Sequence, residues 1–170
     1  MRVQDVIRGE KSDVSIGDWG SGKFQKKKFP LSKAGRRAYA LGSAWHWRFA
    51  EFTCKERQFV LRLIFNEGKS RASAHLAMRS GTDLIVLCCY EFHVDAETGW
   101  HVHTLCGDRN DIDTAPAGSL VHGPWVKRIP GVHERHRRAD FYKDMDGGLS
   151  AWLWREGMRF FGIEERGTLV

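Results

Sequence analysis

The chain has 170 residues, of which 42% are apolar, and its net charge is +6 at pH 7. This length fits one domain with a hydrophobic core, and no apolar run approaches the roughly 18 residues that would suggest a membrane-spanning helix. The positive charge lies in residues 1–50, which hold 11 Lys/Arg against 4 Asp/Glu. The sequence therefore predicts a cytoplasmic protein, away from membranes, that attracts polyanions and nucleic acid first among them. The oligomeric state is left open.

The predicted elements begin with a basic arm. Residues 9–30 are rich in Gly, Ser, Lys and Asp and lack periodic apolar residues, which is typical of an extended arm or a mobile loop. We expect a basic arm over 1–31 and a single α+β domain over 32–170. The basic side chains near the end of the arm are predicted to contact nucleic acid, and they are Lys26, Lys27, Lys28, Arg36 and Arg37.

Regular elements follow the arm. Ser32 is a suitable N-cap for a helix that runs to about Phe52, because apolar residues recur there at helical spacing. Apolar alternation predicts a strand over Gln58–Phe65. The remaining predicted elements are a short helix over Lys69–Arg79, a hairpin with arms Leu84–Val94 and Trp100–Cys106, and helices over His133–Met145 and Leu149–Phe161. The four cysteines form no CxxC pair, so we expect buried free thiols rather than disulfides.

The hairpin gathers polar residues on one face. Side chains alternate along a strand, and directly opposed residues point to the same side. A turn over 95–99 places His93 opposite His101 and Glu91 opposite His103, whereas the other face is almost wholly apolar. A register shifted by two residues keeps the same faces.

This polar face has the composition of a metal site. Opposed Cβ atoms lie ~4.5–5.5 Å apart, so imidazole and carboxylate groups can converge on one cation. A small nitrogen and oxygen ligand set suits a catalytic metal. A closed structural zinc site is less favoured, since no cysteine is expected in this patch, and a merely polar surface is the remaining interpretation. The predicted ligands are His101, His103, Glu91 and His93.

The strand FVLRLIF, a short helix and a long strand leading through a hairpin to HVHTL resemble the core of HUH endonucleases over residues 58–145. That family comprises rolling-circle replication initiators, relaxases and related transposases. The resemblance implies an antiparallel, palm-like sheet of the ferredoxin or RRM type with helices packed on one face. It also implies that His101 and His103 bind a metal, usually magnesium or manganese with zinc less favoured, and that Glu91 or His93 is the third ligand.

The resemblance further implies a catalytic tyrosine that attacks single-stranded DNA and becomes joined to its 5′ end. Tyr142 is the preferred candidate, and basic neighbours that would contact DNA surround it, namely Arg137, Arg138 and Lys143. Initiators usually carry Tyr-x-x-Lys, whereas position 145 here is Met. Relaxases place the tyrosine early, where Tyr39 lies, so both tyrosines stay open.

Three functions remain compatible with the sequence. The first is a metal-dependent enzyme that nicks and joins single-stranded DNA through a tyrosine, with His101 and His103 in its catalytic centre. The second is a metal-dependent phosphoesterase or nuclease without a covalent tyrosine, in which His101 or His93 acts as general acid or base. The third is a non-enzymatic module that binds nucleic acid or inhibits a protein. Aspartates that follow the hairpin are an additional source of oxygen ligands, and they are Asp108, Asp111 and Asp113.

Overall fold

A computed structural model of the chain describes residues 1–23, 29, 41–81, 83–93, 99–105, 112–114, 126–128 and 148–163. Within these residues one antiparallel sheet dominates, and two α-helices accompany it. The prediction of a sheet-based α+β protein is therefore confirmed at this level. Neither of these helices has the length and apolar character that crossing a membrane requires.

The elements in chain order are α1 (Val3–Arg8), β1 (Ser12–Ile16), β2 (Gly20–Ser21), β3 (His46–Cys54), β4 (Arg57–Asn66), β5 (Arg71–Ser80), β6 (Asp83–His93), β7 (Gly99–Leu105), β8 (Val126–Arg128) and α2 (Gly148–Phe160). The strands pair in the order β1-β3-β4-β5-β6-β7-β8, and β2 also pairs with β3. From β3 to β8 each strand pairs antiparallel with the next strand along the chain. The sheet is thus a meander over this range.

One face of the sheet, called the helix face here, is apolar and packs against both helices. Gly157 of α2 lies close to β4, since a Cβ atom built on it would be 3.0 Å from Leu63 Cδ2. A small residue at this position therefore lets the helix lie directly on the sheet. The fully buried core of this face includes Val6 of α1, Leu61 and Leu63 of β4, Ala74 and Leu76 of β5, and Leu153 of α2.

The opposite face, called the second face here, is mixed in character. Its apolar part includes Phe49, Val60, Ala77, Leu84 and Val86, and buried Phe29 packs with them. Polar side chains continue the same face and are buried as well, namely Arg62, Ser73, His75 and Glu91. The two faces of the sheet therefore differ in chemistry although both are shielded from solvent.

A β-bulge in β6 separates two neighbouring cysteines. Leu76 pairs with Cys88 and Ala77 pairs with Val86, so Leu87 is the extra residue on β6. Leu87 and Cys88 both belong to the core of the helix face, whereas Cys89 belongs to the second face. The bulge thus sets which of the two thiols lies beside the polar residues.

Two helices expected from the sequence are strands instead. The prediction of a helix over Lys69–Arg79 is wrong, because these residues contribute to β5, which pairs on both sides with β4 and β6. The helix predicted to run to Phe52 is wrong over its last residues, which belong to β3. In both segments the pairing of strands in the sheet outweighs local helix propensity. The earlier part of that predicted helix, 32–40, lies outside the described residues.

Other expectations fare differently. The predicted strand over Gln58–Phe65 is confirmed as part of β4, and the closing helix is confirmed as α2. Within the segment expected to be an extended arm or loop, Ser12–Ile16 and Gly20–Ser21 form edge strands on β3. The expectation of buried free thiols is confirmed for Cys54, Cys88 and Cys89.

Candidate metal centre

Strand pairing brings together, in the middle of the second face, three side chains of types that can bind metals. His75 of β5 pairs with Cys89 of β6, and Ser73 pairs with Glu91. Across β4, Arg62 pairs with His75. Because directly opposed residues share a face, these positions form one patch that crosses three strands.

The three ligand groups are close to one another. Cys89 Sγ donates a hydrogen bond of 2.9 Å to Glu91 Oε1, and His75 Nε2 lies 3.9 Å from the same oxygen. Each residue offers a ligand atom within 4.8 Å of the other two. The residues are buried, with relative exposures of 7% for His75, 0% for Cys89 and 5% for Glu91.

A buried arginine adds a positive charge beside the cluster. Arg62 is 4% exposed, and its guanidinium carbon lies 4.3 Å from the centre of the Phe29 ring. Burial raises the pKa of the Cys89 thiol well above its ordinary value of 9.0, and the neighbouring Glu91 carboxylate raises it further. The positive charge of Arg62 acts in the opposite direction. Burial and the Glu91 carboxylate both favour the protonated thiol, in agreement with the hydrogen bond that Cys89 Sγ donates to Glu91 Oε1.

The HVH segment of β7 lies beside this cluster. In the backbone register Cys89 pairs with His103, Glu91 pairs with His101, and His93 pairs with Gly99. This register is shifted by two residues from the first pairing expected for the hairpin, which placed His93 opposite His101. The shift keeps the alternation in phase, so positions 101 and 103 still share a face with Glu91.

The sequence prediction of the site missed two of its members. Of the predicted ligands, Glu91 belongs to the cluster, whereas His75 and Cys89 were not among them. The expectation that no cysteine joins the polar patch is wrong, since Cys89 bonds to Glu91. Alternation of Arg71, Ser73 and His75 with small apolar residues was the pattern that could have identified β5 as a strand and placed His75 on this face.

Several predicted functional residues lie outside the described residues. They are Tyr142, Tyr39, Lys26, Lys27, Lys28, Arg36, Arg37, Arg137, Arg138 and Lys143. Among the aspartates considered as extra ligands, Asp113 is described, and it pairs with Arg57 and with the amino group of Met1. Asp113 therefore does not join the cluster on the second face.

The donor set of the cluster limits the metals that fit it. An imidazole nitrogen, a thiol sulfur and a carboxylate oxygen suit a divalent ion of borderline softness. Magnesium and manganese prefer hard oxygen ligands, so Glu91 supplies a donor that suits the expected metals, whereas the thiol of Cys89 is a softer donor than they prefer.

A separate cleft lies at the β1–β3 edge of the sheet. It has a volume of about 180 Å³, and its lining includes Asp18, Trp47 and Glu51. Glu51 is already paired with Arg79, and none of the described residues that line the cleft is a Lys or Arg that would hold a phosphate group. The cleft is therefore not a suitable place for a nucleic-acid backbone, and the His75–Cys89–Glu91 cluster remains the candidate site.

Comparisons of the chain with protein-family models, with curated proteins and with solved structures find no match. The functional argument therefore depends on the residues of the chain itself.

Proposed function

We propose that this protein is a metal-dependent enzyme that cleaves phosphodiester bonds in nucleic acid. The observation that carries the proposal is the convergence of His75, Cys89 and Glu91 on one buried patch. The paired backbone positions of His101 and His103 extend this patch onto the next strand. A bound divalent ion would supply positive charge to a phosphate oxygen as negative charge develops on it.

The charge distribution supports nucleic acid as the substrate class. The excess of Lys and Arg in residues 1–50 favours contact with a phosphate backbone. Arg62 adds a positive charge beside the cluster itself. We take single-stranded DNA as the first substrate to test, because the HUH resemblance implies it.

The nucleophile distinguishes two forms of the proposal. In the form taken from the HUH resemblance, Tyr142 or Tyr39 attacks the phosphate and becomes covalently linked to the DNA. In the other form, water attacks and a histidine transfers protons. Tyr90 is not a candidate, since it is buried on the helix face with its ring stacked 4.6 Å from that of Phe160.

The prediction that the sheet is a palm of the ferredoxin or RRM type remains part of the proposal. A palm of the ferredoxin or RRM type would agree with the HUH resemblance. The connections β3–β4 and β4–β5 are short, and consecutive strands pair directly. The enzymatic proposal does not require the palm topology, because the metal ligands come from neighbouring strands.

The proposal is tested by incubating the protein with labelled single-stranded oligonucleotides and Zn²⁺, Mn²⁺ or Mg²⁺. Replacing His75 or Glu91 by Ala is expected to reduce cleavage at least 100-fold, the scale on which removing one group that stabilises the transition state acts. His46→Ala is the matched control, because His46 stacks on Phe65 away from the cluster. Equal loss in His46→Ala would indicate a general effect on folding instead.

Two further results separate the forms of the proposal. A covalent protein–DNA adduct that disappears in Tyr142→Phe or Tyr39→Phe supports the tyrosine form. Full cleavage in both variants supports attack by water. Salt-dependent binding that persists in EDTA, with no cleavage under any of these metals, would contradict the enzymatic proposal and favour a binding protein.

A further inference from the structure

The donor atoms of the cluster are softer than the ligands that the HUH resemblance predicts. We infer that the centre takes a zinc-type ion, with Cys89 as a thiolate ligand beside His75 and Glu91. The inference rests on the proposed function for the presence of a resident metal, and it specifies which class of metal that is. Thiolate ligands select zinc over magnesium and manganese, which prefer oxygen.

The distances within the cluster are compatible with tetrahedral coordination. Bonds of about 2.3 Å to sulfur and 2.0–2.2 Å to nitrogen or oxygen place the ligand atoms of a zinc site roughly 3.5 Å apart. Here Cys89 Sγ lies 2.9 Å and His75 Nε2 lies 3.9 Å from Glu91 Oε1. The ligand atoms of Cys89 and His75 lie within 4.8 Å of each other, so shifts on the order of 1 Å would reach the required spacing. An ion between the sulfur and the oxygen would replace their present hydrogen bond.

The two anionic ligands of this buried patch are compatible with a divalent ion. As ligands, the Cys89 thiolate and the Glu91 carboxylate together carry two negative charges, which one divalent ion balances. Uncompensated charges are costly to bury, and both residues lie almost entirely out of solvent. Arg62 lies beside the cluster and adds one further positive charge to the patch.

The backbone register places two histidine positions of the neighbouring strand beside the cluster. His103 pairs with Cys89 and His101 pairs with Glu91 in the backbone register. Three protein ligands with water in the fourth position are typical of catalytic zinc, whereas four protein ligands are typical of structural zinc. Single substitutions of His101 and His103 would tell these two arrangements apart.

The β-bulge supplies a matched control for Cys89. Cys88 is the adjacent residue, is equally buried and is also a free thiol. It belongs to the core of the helix face, on the other side of the sheet from His75. The two Cys→Ser variants therefore make the same chemical change, one at the proposed site and one away from it.

The test is titration of the metal-free protein with Co²⁺, which replaces zinc and gives a sulfur-to-cobalt charge-transfer band when a thiolate binds it. We expect one equivalent of Co²⁺ to produce this band in the unmodified protein and in Cys88→Ser. In Cys89→Ser the band should vanish, and zinc affinity should fall by about 100-fold or more, since even the loss of an outer-shell partner costs about 10–100-fold. A large excess of Mg²⁺ should leave the band unchanged.

X-ray absorption of the unmodified protein with bound zinc needs no variant. The spectrum should show one sulfur neighbour of the zinc ion at about 2.3 Å, together with nitrogen and oxygen neighbours at shorter distances. Absence of that sulfur, loss of the band in Cys88→Ser, or displacement of cobalt by Mg²⁺ would overturn the inference. Cleavage supported by Mg²⁺ without any thiolate band would support the proposed function and contradict the zinc inference. A thiolate-bound metal without cleavage would support the zinc inference and contradict the proposed function.

Discussion

Both faces of the central sheet are buried, but the side chains that cover them differ in chemistry. The helix face closes against α1 and α2 with apolar side chains. The second face buries a guanidinium, an imidazole, a thiol and a carboxylate within one patch. Taking polar and charged groups out of water is costly even when they are paired, so this patch contributes less to stability than an apolar one of equal area would. The difference indicates that stability resides mainly on the helix face, and it is on the second face that we propose the metal centre.

Adjacent residues of β5 provide the sharpest test of this division. Leu76 belongs to the helix face, whereas His75 belongs to the cluster on the second face. Leu76→Ala should lower the free energy of unfolding by about 2–5 kcal/mol, because it leaves a cavity in an apolar core. The loss should be the same in EDTA and in zinc, as measured by urea unfolding.

His75→Ala should differ from Leu76→Ala in its response to zinc. Zinc at 1,000 times its dissociation constant stabilises a protein by about 4.1 kcal/mol when it binds only the folded state. We expect Leu76→Ala to retain this zinc-dependent increment and His75→Ala to lose it. A zinc increment that survives in His75→Ala would show that the metal binds elsewhere, and the proposed division between the faces would then be wrong.

The sequence predicted only part of the polar patch on the second face. Alternation in the hairpin was strong enough to place Glu91 in phase with His101 and His103, because a one-residue slip would bury the wrong side chains. The second half of the site depended on β5, where alanines and Leu76 favour a helix locally. Only pairing with β4 and β6, which is not local information, makes that segment a strand.

The bulge was equally hidden from sequence reasoning. Leu87, Cys88 and Cys89 are all apolar in a hydrophobicity pattern, so the change of phase between them leaves no trace in the sequence. The extra residue is visible only in the pairing with β5. It keeps Cys89 on the second face while Leu84 and Val86 stay on that face too. The position of Cys89 beside His75 and Glu91 was therefore visible only in the structure.

A smaller effect is expected where Arg62 meets Phe29 on the second face. The guanidinium carbon lies 4.3 Å from the ring centre, within the range of a cation–π interaction. Arg62→Met and Phe29→Leu, alone and together, form a double-mutant cycle in urea unfolding. We expect a coupling free energy of about 0.5–2 kcal/mol. A coupling of zero would mean that Phe29 only fills space and that the charge of Arg62 is balanced by other groups.

The smallest effect is expected from Asp113, a charged residue at the exposed rim of the helix face. Its carboxylate accepts a hydrogen bond from the amino group of Met1 and pairs with Arg57, and these contacts hold its pKa below the ordinary value of 3.8. A lowered carboxyl pKa stabilises the folded state above pH 3.8, and this stabilisation is lost as the pH falls through the folded-state pKa. Asp113→Asn should therefore be less stable than the unmodified protein near neutral pH and equally stable in strong acid. The difference should also shrink at high salt, because exposed ion pairs are screened by solvent and ions. If urea unfolding instead gives a difference that persists in acid, the backbone contact of Ile112 with Met1, rather than the charge, joins this rim to α1.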